Sequence, residues 1–383
     1  FSIAAKNIIC DAIPATMGLL FIFIAETINI IFIGKYNDAD MIAGIGIGTL
    51  YINATGYILG AGLIGGLDTL CSHAFGNHNY VMIGVYVNVT RIVVVCFFIL
   101  ISLPFTYFTY PILILIGQDA IVSQYASSFC HAMLPSLFFA LQYNTSMRYL
   151  QAMNIFKPGM YITLTTVLLH PVWCHLFINV LGYGVVGAGL SMSLTQLLNV
   201  LIISVYIHYT MPGRYPDSYF FINNTVMQGV FFSEYLKKAV PSAILFAADW
   251  LGFEVLTLMS SYISPNALAA NVCLFNFITM IFMIPMGLSF ASTTLVGNSI
   301  GGNKAKQAKI YTKAALTVGV LIIGTITLSV YLFKNTIPFV YTSDPNIAGL
   351  VTGLLGIWVC FSIMDAIQII LHGVIKGLGK QKI

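Results

Sequence analysis

Asp249, Glu254 and Asp365 are carboxylates set inside stretches otherwise apolar enough to cross a bilayer. An ionised carboxylate in hydrocarbon costs several kcal/mol, roughly +2.5–3.5 even on lenient scales, so such residues face a protein-lined cavity and act there. Desolvation in a partly dry cavity disfavours the charged form, so a carboxyl there takes up and returns a proton at ordinary pH. Two neighbouring carboxyls oppose double ionisation, which couples their protonation. These residues therefore predict the binding and release of protons or other cations at membrane depth.

Composition says what must position them. The chain has 383 residues, 58% hydrophobic and only 7% charged, with a mean hydropathy of +0.92. A soluble domain carries about a quarter charged residues. The expected fold is an all-α polytopic membrane protein. A span needs about 20 mostly apolar residues, and ten segments qualify, at roughly 11–33, 41–67, 83–108, 121–147, 158–180, 183–209, 237–263, 267–297, 310–333 and 347–375. These runs are too long for barrel strands and lack their alternation. The short connections leave no room for a sizeable soluble domain.

Fourteen of the sixteen Lys and Arg residues fall at span ends on one side, and only Lys35 and Lys334 on the other. By the positive-inside rule the first side, with both ends of this chain, is cytoplasmic. The net charge of +4 follows from that bias and gives no reason to expect nucleic acid. Seven cysteines are scattered through apolar segments without a C-x-x-C pair, which reads as small buried hydrophobes and argues against metal or disulfide use. No cleavable signal peptide is read, and the opening at Phe1 is read as a missing beginning.

The polar stretch at about 210–236 separates six spans from four, giving an N-terminal lobe at about 1–209 and a partial C-terminal lobe at about 237–383. A shift of about 226 positions superposes Gly76-Asn77 on Gly302-Asn303, and Ala140-x-Gln142 on Ala366-x-Gln368. Spans two to four then fall on spans eight to ten. Six spans return the chain to its starting side, so the copies run in the same sense, as parallel repeats about an axis along the membrane normal. The expected architecture is two pseudo-symmetric six-helix lobes, the second represented by four helices, with two further spans expected after Ile383.

Several passages carry a family resemblance. Ile52-Asn53-Ala54-Thr55-Gly56, then Leu67-Asp68-Thr69-Leu70-Cys71-Ser72-His73-Ala74-Phe75-Gly76, form a second-span pattern, and Arg148-Tyr149-Leu150-Gln151 ends the fourth. Asp249-Trp250-x-x-Phe253-Glu254 lies in the seventh. Pro285-x-Gly287 with Val296-Gly297-Asn298-x-x-Gly301 lies in the eighth, and Asp365 with Gly373-Val374-Ile375-Lys376-Gly377-x-Gly379-x-Gln381-Lys382 in the tenth. In order and spacing these resemble the multidrug and toxic-compound extrusion (MATE) family, nearer its eukaryotic branch, over essentially the whole chain. The resemblance implies a cation site in the second lobe with an acid at Glu254 and another at Asp365.

Asp249 lies five residues before Glu254, about 140° round the helix, and is expected at the outer vestibule or near the headgroups. Trp250 reads either as a platform for an organic cation or as an interfacial anchor. Asn53, at membrane depth, hydrogen-bonds a substrate or a neighbouring helix, and the resemblance favours the substrate. The sequons at Asn53 and Asn88 lie at membrane depth and are not expected to be modified. Asp68 reads as a local cap or gate contact. Pro14, Pro241 and Pro285 permit bending. His170 and His175, five apart, are poorly placed on one helical face for a metal.

The chain also departs from the family. Asn29 stands where bacterial members often carry an Asp, with Glu26 one turn earlier; Asn276 stands where some animal members carry an acid; His73 replaces a usual Gln. A first-lobe proton site therefore depends on Glu26. The resulting expectation is a proton-coupled antiporter exporting organic cations or xenobiotics, with no cofactor, in a plasma membrane or a vacuolar or other endomembrane. Sodium is the alternative coupling ion, with Asn276 as a further ligand. A lipid-linked sugar flippase of the same superfamily would favour a more cationic cavity. A membrane enzyme would need a nucleophile–base set or metal cluster at membrane depth, and none is read.

Overall fold

In lipid every backbone N–H and C=O must be paired within its own segment, so apolar runs of this length fold as helices. The computed structural model describes residues 1–383 apart from 35, 37, 221, 223, 342, 343, 382 and 383; the side chains of 39, 254, 258, 261, 262, 265 and 268 are also outside the described set. The long helices are α1 (Ser2–Gly34), α2 (Asp40–Gly76), α3 (Tyr80–Tyr107), α4 (Ala120–Ala152), α5 (Lys157–Val180), α6 (Gly184–Arg214), α7 (Gly229–Ile263), α8 (Pro265–Gly301), α9 (Ala305–Phe333) and α10 (Pro345–Leu378).

Among the described residues, nine helices are apolar and long enough to cross a membrane; α4, at 33 residues, is long enough but richer in hydroxyls. Ser123, Ser127, Ser136, Thr145 and Ser146 of α4 are buried. Thr145 donates to Leu141 O at 2.9 Å, and Ser146 to Gln142 O at 3.0 Å. The Ser193 hydroxyl of α6 enters the α4 ladder beside Pro135, accepting from Ser136 N and donating to Ala132 O. A neighbouring hydroxyl thus repairs the backbone that proline disrupts.

Several helices overrun the expected spans, because a helix does not stop where the headgroups begin. The inter-lobe connection is correspondingly shorter than the expected 210–236: α6 continues to Arg214 and α7 starts at Gly229. That connection is strapped to the first lobe. Tyr149 and Ser218 hydroxyls meet at 2.7 Å, and Asn88 donates to Phe220 O at 3.1 Å.

Helix α4 packs along α6, α8 along α10, and α7 along the second half of α2. Matching turns carry matching backbones: His78 and Asn303 follow α2 and α8 in the left-handed region, as Asn154 and Gly379 follow α4 and α10. One end of the bundle, the basic end, carries Lys237, Lys238, Lys304, Lys306 and Lys380. At the opposite end three of the acids cap helices: Asp38 on α2, Asp119 on α4 and Asp344 on α10.

Candidate functional site

Helices α7 and α10 run antiparallel and scarcely touch along their backbones, since α7 leans on α2 and α10 on α8 and α9. Side chains bridge the space between them. At the basic end Lys238 Nζ donates to Gly379 O at 2.6 Å. Three turns further in, Asp249 accepts from Gln368 Nε2 at 3.2 Å and from His372 Nδ1–H at 3.0 Å. α10 thus presents two polar side chains to Asp249 from across the gap. Asp365 lies one turn before Gln368 on the same helix. The antiparallel register sets the backbone of Glu254 level with Asp365; the Glu254 side chain lies outside the described residues.

Asp365 opens into a cavity lined by Trp250, Phe253, Phe282, Trp358 and Phe361, with Pro285 at its wall. Trp250 meets Phe282 edge-on at 5.6 Å between ring centroids, and Phe253 meets Phe282 in the same manner at 6.3 Å. Of the two readings of Trp250, this placement fits the aromatic platform. A carboxylate beside several aromatic faces suits a cation that carries apolar bulk. Asn276 is not among the lining residues; its amide donates to Val272 O of its own helix at 2.9 Å.

Asn53 opens a π turn, Asn53–Tyr57, within α2. Such turns recur at functional sites. On α1, Asn29 is buried and accepts from the Cys174 thiol at 3.2 Å, while Glu26 is half-buried one turn earlier. His170 is fully buried against Thr195 at 2.8 Å and Cys174 at 3.3 Å; His175 is exposed and pairs with Asn179. The two histidines point apart.

Towards the basic end the space closes in layers. Asp68 meets Arg148 at 3.5 Å, and the Arg148 guanidinium lies 3.6 Å over the Phe290 ring of the other lobe. Thr69 donates to Lys376 O at 2.7 Å, His73 Nε2–H to Gly377 O at 2.7 Å, and Asn298 to Asn154 Oδ1 at 3.2 Å. The backbones approach so closely that a Cβ on Gly62 would lie 2.6 Å from Ala243 Cα, and one on Gly66 2.8 Å from Ala239 N. Asp68, read from sequence as a local cap or gate contact, has Arg148 as its cation.

Gln368 and His372 escaped the sequence reading. The signal was present: Asp365, Gln368 and His372 stand at i, i+3 and i+7 of an otherwise apolar span, which puts them on one helical face.

The model of the MatE family matches residues 14–176 and 241–383. The chain is 26% identical over 373 residues to Multidrug and toxin extrusion protein 1 of Danio rerio, covering 96% of this chain and 61% of the relative. It is 29% identical over 370 residues to Protein DETOXIFICATION 14 of Arabidopsis thaliana, covering 94% and 74%. The chain thus spans less than two thirds of the zebrafish relative's length. The crystal structure of the eukaryotic MATE transporter AtDTX14 superposes with a TM-score of 0.88 at 24% identity, over 100% of this chain and 84% of that one. With the family model matched across both lobes, the chain belongs to the MatE family.

Proposed function

We propose that this protein is a secondary antiporter that exports organic cations or other xenobiotics in exchange for protons. The observation that carries this reading is Asp365 in an aromatic cavity at membrane depth, with Asp249 close by on α7 and Glu254 level with it. The carboxylates, Glu254 and Asp365 foremost, hold either a cation or protons. Competition for the same oxygens enforces exchange without a direct link between the two. Trp250 supplies a face for the cation, and Asn53 lines the path between the lobes.

The basic end is cytoplasmic by the positive-inside rule. Closure there, through Arg148, Phe290 and the tight glycine contacts, corresponds to the state that receives protons from the far side. Rocking of the lobes then opens the cavity to the cytoplasm. The relatives' names, which speak of multidrug and toxin extrusion, support this reading. Plasma membrane and endomembrane both suit it.

The test is efflux of a fluorescent organic cation from proteoliposomes holding the protein, under an imposed pH gradient or an imposed sodium gradient. Proton coupling predicts transport driven by the pH gradient alone and abolished in Glu254→Gln. Transport driven only by sodium would replace the proton with sodium; transport indifferent to both gradients would overturn the mechanism.

A further inference from the structure

Resting on the proton-antiport reading above, we propose that His372 is a second proton-binding group of the second-lobe site, and that the organic cation competes with its proton for Asp249. His372 Nδ1–H lies 3.0 Å from Asp249 Oδ2, and each side chain is 21% exposed. The pair is thus wet enough to exchange protons and dry enough for charge to matter. It bridges two helices whose backbones scarcely touch, so it stands in the space between them that a substrate must enter. Gln368 holds the other Asp249 oxygen at 3.2 Å, which fixes the carboxylate to face the imidazole.

Histidine is the side chain that ordinarily changes charge between about pH 5 and 8. The groups around this one are few. Charged side chains near it are Asp249 on α7, and Asp365 and Lys376 on α10. Helix α8 carries no charged residue. The α9 lysines Lys306, Lys309 and Lys313 are exposed, and Asp68 is engaged with Arg148 between α2 and α4.

With His372 protonated, Asp249 is neutralised in an ion pair and offers little to a cation. When an organic cation takes Asp249, the imidazolium loses its partner and passes its proton to cavity water. The proton accepted from outside therefore restores the His372–Asp249 pair and expels the cargo.

The experiment compares pH profiles of organic-cation efflux for the full-length wild type, His372→Gln and His372→Asn in proteoliposomes. Both amides can still donate to Asp249, and neither takes a proton. The expected result is that the wild type changes rate at least fivefold between about pH 6 and 8 while both variants lose that limb, and that fewer protons move per cation. A variant that folds and keeps the wild-type limb and proton count would overturn the proposal and leave His372 as a strut. A wild type without pH-driven transport would instead overturn the antiport reading, and this proposal with it.

Discussion

The guanidinium of Arg148 lies 3.6 Å over the ring of Phe290, so a first-lobe cation rests on a second-lobe aromatic face. Asp68 holds the same arginine from the other side at 3.5 Å. A cation–π contact of this kind contributes about 1–2 kcal/mol when partly desolvated. Phe290→Leu removes it while keeping apolar bulk. Spin labels on exposed Asn79 and Lys306 should then report a population open at the basic end that is roughly five- to thirtyfold larger. An unchanged distance distribution would mean that the stack does not hold the gate.

Gly66 makes a sharper test of the same closure. Its missing Cβ would sit 2.8 Å from Ala239 N, a backbone atom that cannot swing aside. Gly66→Ala should move nearly all molecules to the longer label distance and lower efflux by at least about tenfold, with thermal stability nearly kept. Normal efflux would show that the lobes never need to meet so tightly.

Trp250 lines the Asp365 cavity, 5.6 Å from Phe282 between ring centroids. Trp250→Ala should weaken binding of an aromatic organic cation by roughly five- to thirtyfold, and Trp250→Phe by much less. Equal losses in the two would point to packing, because phenylalanine keeps a π face.

His170 offers the contrasting case. It is fully buried among the uncharged side chains of Thr195, Cys174 and Asn29, and is read as structural. His170→Leu strands polar partners and should cost about 1–3 kcal/mol, seen as a lowered midpoint of thermal unfolding. The pH profile of the folded fraction should not move. A moved profile would place a second titrating site in the first lobe.

Much of this organisation was legible in the residues. The all-helical membrane class follows from the long apolar runs, nine of which form helices long and apolar enough to cross a membrane among the described residues; the lobe division and the second-lobe acids are read from turn order and the cost of buried charge. Helix α4, read as a span, forms a 33-residue helix outside the nine that are apolar enough to cross a membrane among the described residues; Thr145 and Ser146 bond carbonyls of their own helix. Asp249 was read from its angle on its own helix, which says nothing of what another helix presents to it. Only the antiparallel register of α7 against α10 brings His372 to Asp249, and that register is set by contacts more than a hundred residues apart. Asn276, read as a further cavity residue, bonds the Val272 carbonyl, as an asparagine at membrane depth can satisfy itself on its own helix.

The most direct measurement is the number of protons released when the purified full-length protein binds an organic cation, with Asp365→Asn beside the wild type. Asp365 is the described carboxylate that lines the aromatic cavity, and shared occupancy by proton and cation is the core of the mechanism. Wild-type binding is expected to release protons, with Asp365→Asn releasing fewer and binding at least about tenfold more weakly. Tight binding with unchanged proton release in Asp365→Asn would contradict a shared site and move both cargo and proton elsewhere in the protein.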